Sequence, residues 1–194
     1  MGDLRRAVFL DRDGVILEDR GACWRPDDAR IYPYAPDALA RLRRAGFALV
    51  VVTNQPVVAR GLATLDDVAA LHAWLNAALA PRGARIDHFE CCPHHPEATL
   101  PAWRVDCACR KPRPGMILRA ARALGLDLAA SELIGDRRTD IAAGLAAGCT
   151  TTLVTTGAHD APRIVTPEPD RGAPPHRVTP TLVEAVDAIL GARA

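Results

Sequence analysis

Apolar positions along the chain fall into short blocks separated by polar turns, and the blocks alternate in period. The first, at the start of "VFLDRDGVIL" (8–17), is an apolar strand that runs straight into Asp11 and Asp13. "APDALARLRRAG" (35–46) puts Leu39 and Leu42 on one face, with Pro36 in a helix-starting position and Gly46 as a stop. That pattern predicts a short amphipathic helix. "FALVVV" (47–52) is a continuous apolar run ending in "TNQ", as in a strand buried on both faces. Thr64 and Asp67 make a capping-box start, and Val68, Leu71, Leu75 and Leu79 recur at helical spacing until Pro81. A helix over about 65–80 follows.

"RIDHFE" (85–90) reads as a third strand, and "PGMILRAARALG" (114–125) as a helix between Pro114 and Gly125. "SELIGD" predicts a fourth strand, "TDIAAGLAAG" a helix ending at Gly148, and "TTTLVTT" a fifth strand. A last helix is capped by Thr181 and Glu184, with Leu182, Val186 and Leu190 inward, and a short strand is expected to begin near Val178. Strand and helix alternate throughout, so the expected fold is α/β, a mostly parallel central sheet between two helical layers. Residues 91–113 are irregular and rich in Cys, His and Pro, and 157–180 are crowded with prolines and read as a surface loop. No repeat or linker divides the chain, so one domain over 1–194 is expected.

Composition narrows the picture. Apolar residues are 49% and charged residues 24%, with aromatics at only 4%, as in a globular protein with an aliphatic core. Net charge is +1, which leaves no electrostatic footprint for nucleic acid or an anionic membrane, and no such partner is expected. No apolar run approaches the roughly 20 residues that span a bilayer. "MGDLRRAVFLDRDG" lacks the hydrophobic region of a secretory signal, so a cytoplasmic protein with reduced thiols is expected. A monomer is expected.

In an open parallel sheet, ligands bind beyond the carboxyl ends of the strands. The residues there are Asp11 and Asp13, then Thr53 and Asn54, then Gly135 and Asp136, and the turn "CRKPRPG" adds Arg110 and Lys111. Three carboxylates, a hydroxyl and a cation at one edge suit a divalent metal and a phosphoryl group. Asp11, Asp13 and Asp136 are hard oxygen donors appropriate to Mg²⁺. One of the first two can attack phosphorus while the other moves a proton, and Thr53 and Lys111 can hold phosphoryl oxygens. An aspartate after a strand is more often a turn or cap, but these positions carry complementary chemistry together.

A second constellation is Cys92-Pro-His94, then Cys107-Ala-Cys109. Three sulfurs and an imidazole suit tetrahedral Zn²⁺, and a closed set of four protein ligands is structural rather than catalytic. Cys91 and His95 are adjacent alternatives, while buried thiols that simply pack are the plain reading. Cys23 and Cys149 are expected to pack as small apolar residues. His72 and Trp74 on the second helix, and His159 and His176 beside the proline-rich loop, are expected to serve packing or solvation.

"FLDRDGVI", "VVTNQ", "CRKPRPGM" and "GDRRTD" resemble, in order, the four motifs of the haloacid dehalogenase (HAD) superfamily of phosphatases. "FALVVVTNQ", "CCPHHP" and "CACRKP" resemble more narrowly the D-glycero-D-manno-heptose 1,7-bisphosphate 7-phosphatases, over about 7–158. The resemblance implies a HAD-like Rossmannoid three-layer sandwich with a minimal cap and a zinc-binding loop at about 91–110. It implies Asp11 as a nucleophile forming an aspartyl-phosphate, Asp13 as general acid and base, and Thr53 and Lys111 as phosphoryl-stabilising groups. It further implies Arg110, Asp19 and Asn54 as substrate contacts, Asp136 as an Mg²⁺ ligand, and Cys92, His94, Cys107 and Cys109 as Zn²⁺ ligands. The expected substrate is a small phosphorylated sugar. Family members commonly read "TNQSGIARG" where this chain reads "TNQPVVARG", and Arg137 and Thr139 stand where lysine and glutamate are usual. Those departures bear on the substrate, with histidinol phosphate as the alternative, rather than on the chemistry. A catalytically idle zinc-stabilised module is the competing class, and the retained Asp11, Asp13, Lys111 and Asp136 speak against it.

Overall fold

The computed structural model describes residues 4–156 and 173–191. Strands β1 (Ala7–Leu10), β2 (Ala48–Asn54), β3 (His88–Cys92), β4 (Glu132–Gly135), β5 (Thr150–Val154) and β6 (Arg177–Thr179) form one sheet. Their order is β3-β2-β1-β4-β5-β6, and each neighbouring pair is parallel. Helices α1 (Ala35–Arg44), α2 (Leu65–Leu79), α3 (Gly115–Leu124), α4 (Arg138–Ala147) and α5 (Leu182–Gly191) complete the alternation.

Alternate side chains of a strand point to opposite faces, and β1 and β2 divide their residues accordingly. Val8, Leu10, Leu49 and Val51 pack with Leu39 of α1, Leu71 of α2 and Val186 of α5. Phe9, Val50 and Val52 pack with Met116 and Ile117 of α3 and Ile141 of α4. Both faces are therefore apolar and covered, which is why "FALVVV" carries no polar alternation. The result is the expected three-layer HAD-like sandwich. Between β1 and α1 the chain forms only isolated bridges, Asp13 with Leu17 and Leu17 with Ile31, and one 3-10 turn at Pro26–Asp28, so the cap is minimal.

Two boundaries differ from the sequence reading. β3 begins at His88 rather than Arg85, because the Asn76 side chain takes both the amide and the carbonyl of Ile86. It extends to Cys92, so Cys91 and Cys92 belong to the strand and not to the irregular segment. The short strand expected near Val178 is β6, which pairs with β5 through Arg177–Thr179 between Pro175 and Pro180. Of the expected proline-rich loop, residues 157–172, with His159, lie outside the described residues.

The start of α2 is the capping box expected: the Asp67 amide donates to Thr64 Oγ1 at 3.1 Å, and the Thr64 amide donates to Asp67 Oδ2 at 2.8 Å. Thr64→Ala is expected to lower the thermal midpoint by roughly 2–4 °C in a melting experiment, the usual cost of a lost cap in a chain of this size.

Candidate active site

The strand order reverses around β1, and in such sheets the crevice lies beyond the carboxyl ends of the strands flanking that point. Here Asp11 directly follows β1, Thr53 and Asn54 close β2, and Asp136 directly follows β4. The loop before α3 reaches the same place with Lys111. A cavity of about 520 Å³ there is lined by Asp11, Asp13, Thr53, Lys111 and Asp140, and also by Asp19, Asn54, Arg60, His95, Arg110 and Arg137.

Lys111 is buried, and its Nζ donates to Asp11 Oδ1 at 2.8 Å and to the Val52 carbonyl at 2.8 Å, and lies 2.6 Å from Asp140 Oδ1. Burial alone would lower its pKa, but Asp11 and Asp140 outweigh that and raise it, so the ammonium is permanent. Asp13 is oriented by two groups: Arg12 donates to both of its oxygens at 3.1 and 2.9 Å, and Gln55 Nε2 donates to Oδ2 at 3.0 Å. The same Gln55 amide donates to Thr53 Oγ1 at 2.9 Å, tying the two expected catalytic side chains together. Burial raises the Asp13 pKa, against the pull of Arg12, which suits a group that must carry a proton for part of a cycle.

Acidic oxygens of Asp11, Asp136 and Asp140 all lie within 4.8 Å of one another. Both oxygens of Asp136 are buried without a hydrogen-bond partner among the described residues. Burial first, then Asp11 and Asp140, push its pKa up to about 9. A buried carboxylate left in that state is costly, and a hard divalent cation among these oxygens removes the cost, so the donor set fits Mg²⁺. Gly14, at φ +85°, permits the arrangement: a Cβ there would stand 2.3 Å from Asp136 Oδ2. The Asp13 carboxylate, held by Arg12 and Gln55, is not among the three converging carboxylates, whereas Asp140 is.

The second constellation is also assembled. Sγ of Cys109 lies 3.2 Å from that of Cys92, 3.1 Å from that of Cys107 and 3.3 Å from His94 Nδ1. The sulfurs are too far apart for disulfides. All four donor atoms lie within 4.8 Å of one another. Their edges approach the roughly 3.8 Å expected of a tetrahedron with 2.3 Å zinc–sulfur bonds. The cluster anchors the loop that delivers Lys111. Gly115 donates its amide to the Ala108 carbonyl at 3.0 Å, and a Cβ on Gly115 would meet that oxygen at 2.2 Å.

Comparison with known proteins places this geometry. The HAD-hydrolase-like family matches residues 108–185. The D-glycero-beta-D-manno-heptose-1,7-bisphosphate 7-phosphatase of Escherichia coli strain K12 is 42% identical over 168 residues, 86% of this chain and 85% of that one. The chain belongs to this phosphatase family. The Yersinia pestis relative of the same name is 43% identical over 78% of this chain and 81% of its own. Among solved structures, the B. bronchiseptica D,D-heptose 1.7-bisphosphate phosphatase complexed with magnesium and phosphate has a TM-score of 0.82. It is 34% identical and covers 96% of this chain and 99% of that one.

Set against the expectations for this family, the structure brings Asp11, Asp13, Thr53 and Lys111 to one cavity with Asp19, Asn54 and Arg110. It also gives three of those residues supporting bonds. Asn54 spends both ends of its amide on the Lys111 backbone, at 3.1 and 3.2 Å. Asp19 accepts from Arg137 Nη2 at 2.9 Å, and Arg110 donates to the His94 carbonyl at 3.0 Å. Asp140, Gln55 and Arg60, all on the cavity wall, escaped the sequence reading. Asp140 shows only as a cap, accepting from the Arg137 amide at 3.0 Å, and Gln55 follows Asn54 with nothing in its own pattern to mark it. Of the alternative zinc ligands, Cys91 stands apart from the sulfur cluster. Val57, one of the departures from the family pattern, packs with Val58 and Val68 and also lines the cavity, beside Pro56. No helix among the described residues is long and apolar enough to cross a membrane.

Proposed function

We propose that the chain is a Mg²⁺-dependent phosphatase that removes the 7-phosphate of D-glycero-β-D-manno-heptose 1,7-bisphosphate, with a structural Zn²⁺ in its Cys-His loop. One observation carries the reading: Asp11, Asp13, Thr53 and Lys111 share one cavity, beside a carboxylate cluster that wants a cation, in a chain 42% identical to a phosphatase of that name. An Asp11 oxygen attacks phosphorus, the ester P–O bond breaks, and Asp13 gives its proton to the departing sugar oxygen. Water then attacks the aspartyl-phosphate, Asp13 takes back a proton, and inorganic phosphate leaves with Asp11 restored. Lys111 and Thr53 stabilise equatorial phosphoryl oxygens throughout. Asp11, Asp136 and Asp140 would hold Mg²⁺, which would neutralise phosphate charge. Arg110, with Asp19 and Asn54 on the cavity wall, contributes to recognition of the sugar. The proposal includes a single-domain monomer acting in the cytoplasm on a small-molecule substrate, with neither nucleic acid nor membrane as partner.

Phosphate release with Mg²⁺ from the β and α anomers of the heptose bisphosphate, histidinol phosphate and fructose 1,6-bisphosphate tests the substrate. The β anomer is expected to lead the others by at least about tenfold in kcat/KM, the scale of discrimination that sugar-contacting groups supply. If histidinol phosphate leads, the chemistry stands and the heptose assignment falls.

A further inference from the structure

The site contains a buried cation that the reaction leaves without a task. Arg12 lies between Asp11 and Asp13 in sequence and is fully buried. Its two-point contact with Asp13 fixes the plane of the carboxylate as well as its position. Arg12 Nη2 also donates to the Cys23 carbonyl at 2.7 Å, and Nη1 lies 3.4 Å from His72 Nε2. A guanidinium only donates, so Nε2 accepts and the ring proton sits on Nδ1. Burial, and then Arg12, hold the His72 pKa at about 3, which keeps the ring neutral and able to accept. Phe89 of β3 stacks on the imidazole, with centroids 4.6 Å apart and planes 15° from parallel, fixing its orientation.

We propose that His72 and Arg12 are positioning residues for the general acid: the His72 imidazole locks the guanidinium that aims the Asp13 carboxylate at the leaving oxygen. The inference rests on the phosphatase reading above. Neither residue lines the cavity. Their effect runs through placement, and a displacement of about 1 Å at a catalytic group can cost on the order of a hundredfold.

The leaving group separates placement from general stability. An alkyl phosphate needs a proton on its departing oxygen, whereas p-nitrophenolate leaves without one. Single-turnover release of the sugar product from the heptose bisphosphate, and of p-nitrophenolate from p-nitrophenyl phosphate, is therefore compared in the Mg²⁺-loaded wild type, His72→Leu and His72→Gln. His72→Leu is expected to slow the sugar reaction by about tenfold or more and the aryl reaction by less than about twofold. Gln carries an acceptor oxygen and is expected to recover most of the loss. Arg12→Lys, which keeps the charge but not the fork, is expected to give the same split and stands in if His72→Leu does not fold. Equal slowing of both substrates, slowing of neither, or slowing of the aryl reaction alone overturns the inference. Failure of Gln to exceed Leu assigns the loss to ring stacking and overturns it too. A wild type that cleaves neither substrate instead sinks the phosphatase reading.

Discussion

An Asp11→Asn variant is expected to release phosphate at least about a thousandfold more slowly than the wild type while keeping its fold. The amide cannot attack phosphorus, and the other carboxylates described at the cavity are engaged, Asp19 by Arg137. Asp136 and Asp140 are committed to the cation cluster, and the Asp13 oxygens are taken by Arg12 and Gln55. The fold is expected to survive because Lys111 keeps its second partner, Asp140 at 2.6 Å. Asp11 is also one of the groups that raise the Asp136 pKa, so neutralising it relieves a repulsion in the cation-free protein. Single-turnover assays read the first effect, and melting in the presence of a chelator reads the second. The midpoint is expected to stay within about 2 °C of wild type or rise. A loss of less than about tenfold would move the nucleophile away from Asp11.

The layers of this molecule were legible because burial writes itself in period. "FALVVV" has no polar alternation because β2 is covered on both faces, and the helices announce themselves through caps such as Thr64 with Asp67. The start of β3 was not legible, since it depends on Asn76 reaching across from α2 to claim Ile86. The site divides in the same way. Strand ends in a parallel sheet converge by topology, so Asp11, Asp13, Thr53 and Asp136 could be grouped before any coordinates. Asp140 and Gln55 could not, because each looks local: one caps α4 and the other follows a strand. Only the fold shows that Asp140 meets Lys111 and Asp136, and that Gln55 bridges Asp13 and Thr53. Arg12 and His72 lie 60 positions apart, and their contact is likewise invisible to spacing.

Removing the metal from the Cys-His loop is expected to do more damage than removing any one side chain from the core. The protein should carry about one zinc per chain, and structural zinc sites have apparent binding free energies of about 10–16 kcal/mol. Cys92 comes from the end of β3, while Cys107 and Cys109 immediately precede Arg110 and Lys111. The metal would therefore clip the loop to the sheet at the point where it delivers the ammonium to Asp11. Without it, three thiols and an imidazole remain packed together, and the loop is tied by hydrogen bonds, among them the pair between Asn54 and the Lys111 backbone, Gly115 to Ala108 and Arg113 to Cys107. Cys109→Ala, or zinc withdrawal by a strong chelator with Mg²⁺ resupplied in excess, is expected to lower the melting midpoint by more than about 10 °C. Activity should fall in parallel, because Lys111 loses its fixed approach to the phosphoryl group. Added zinc should restore the chelated protein, and further Mg²⁺ should not. If a zinc-free chain melts and turns over like the wild type, the four residues are packed thiols and an imidazole, and the loop holds its shape without a metal.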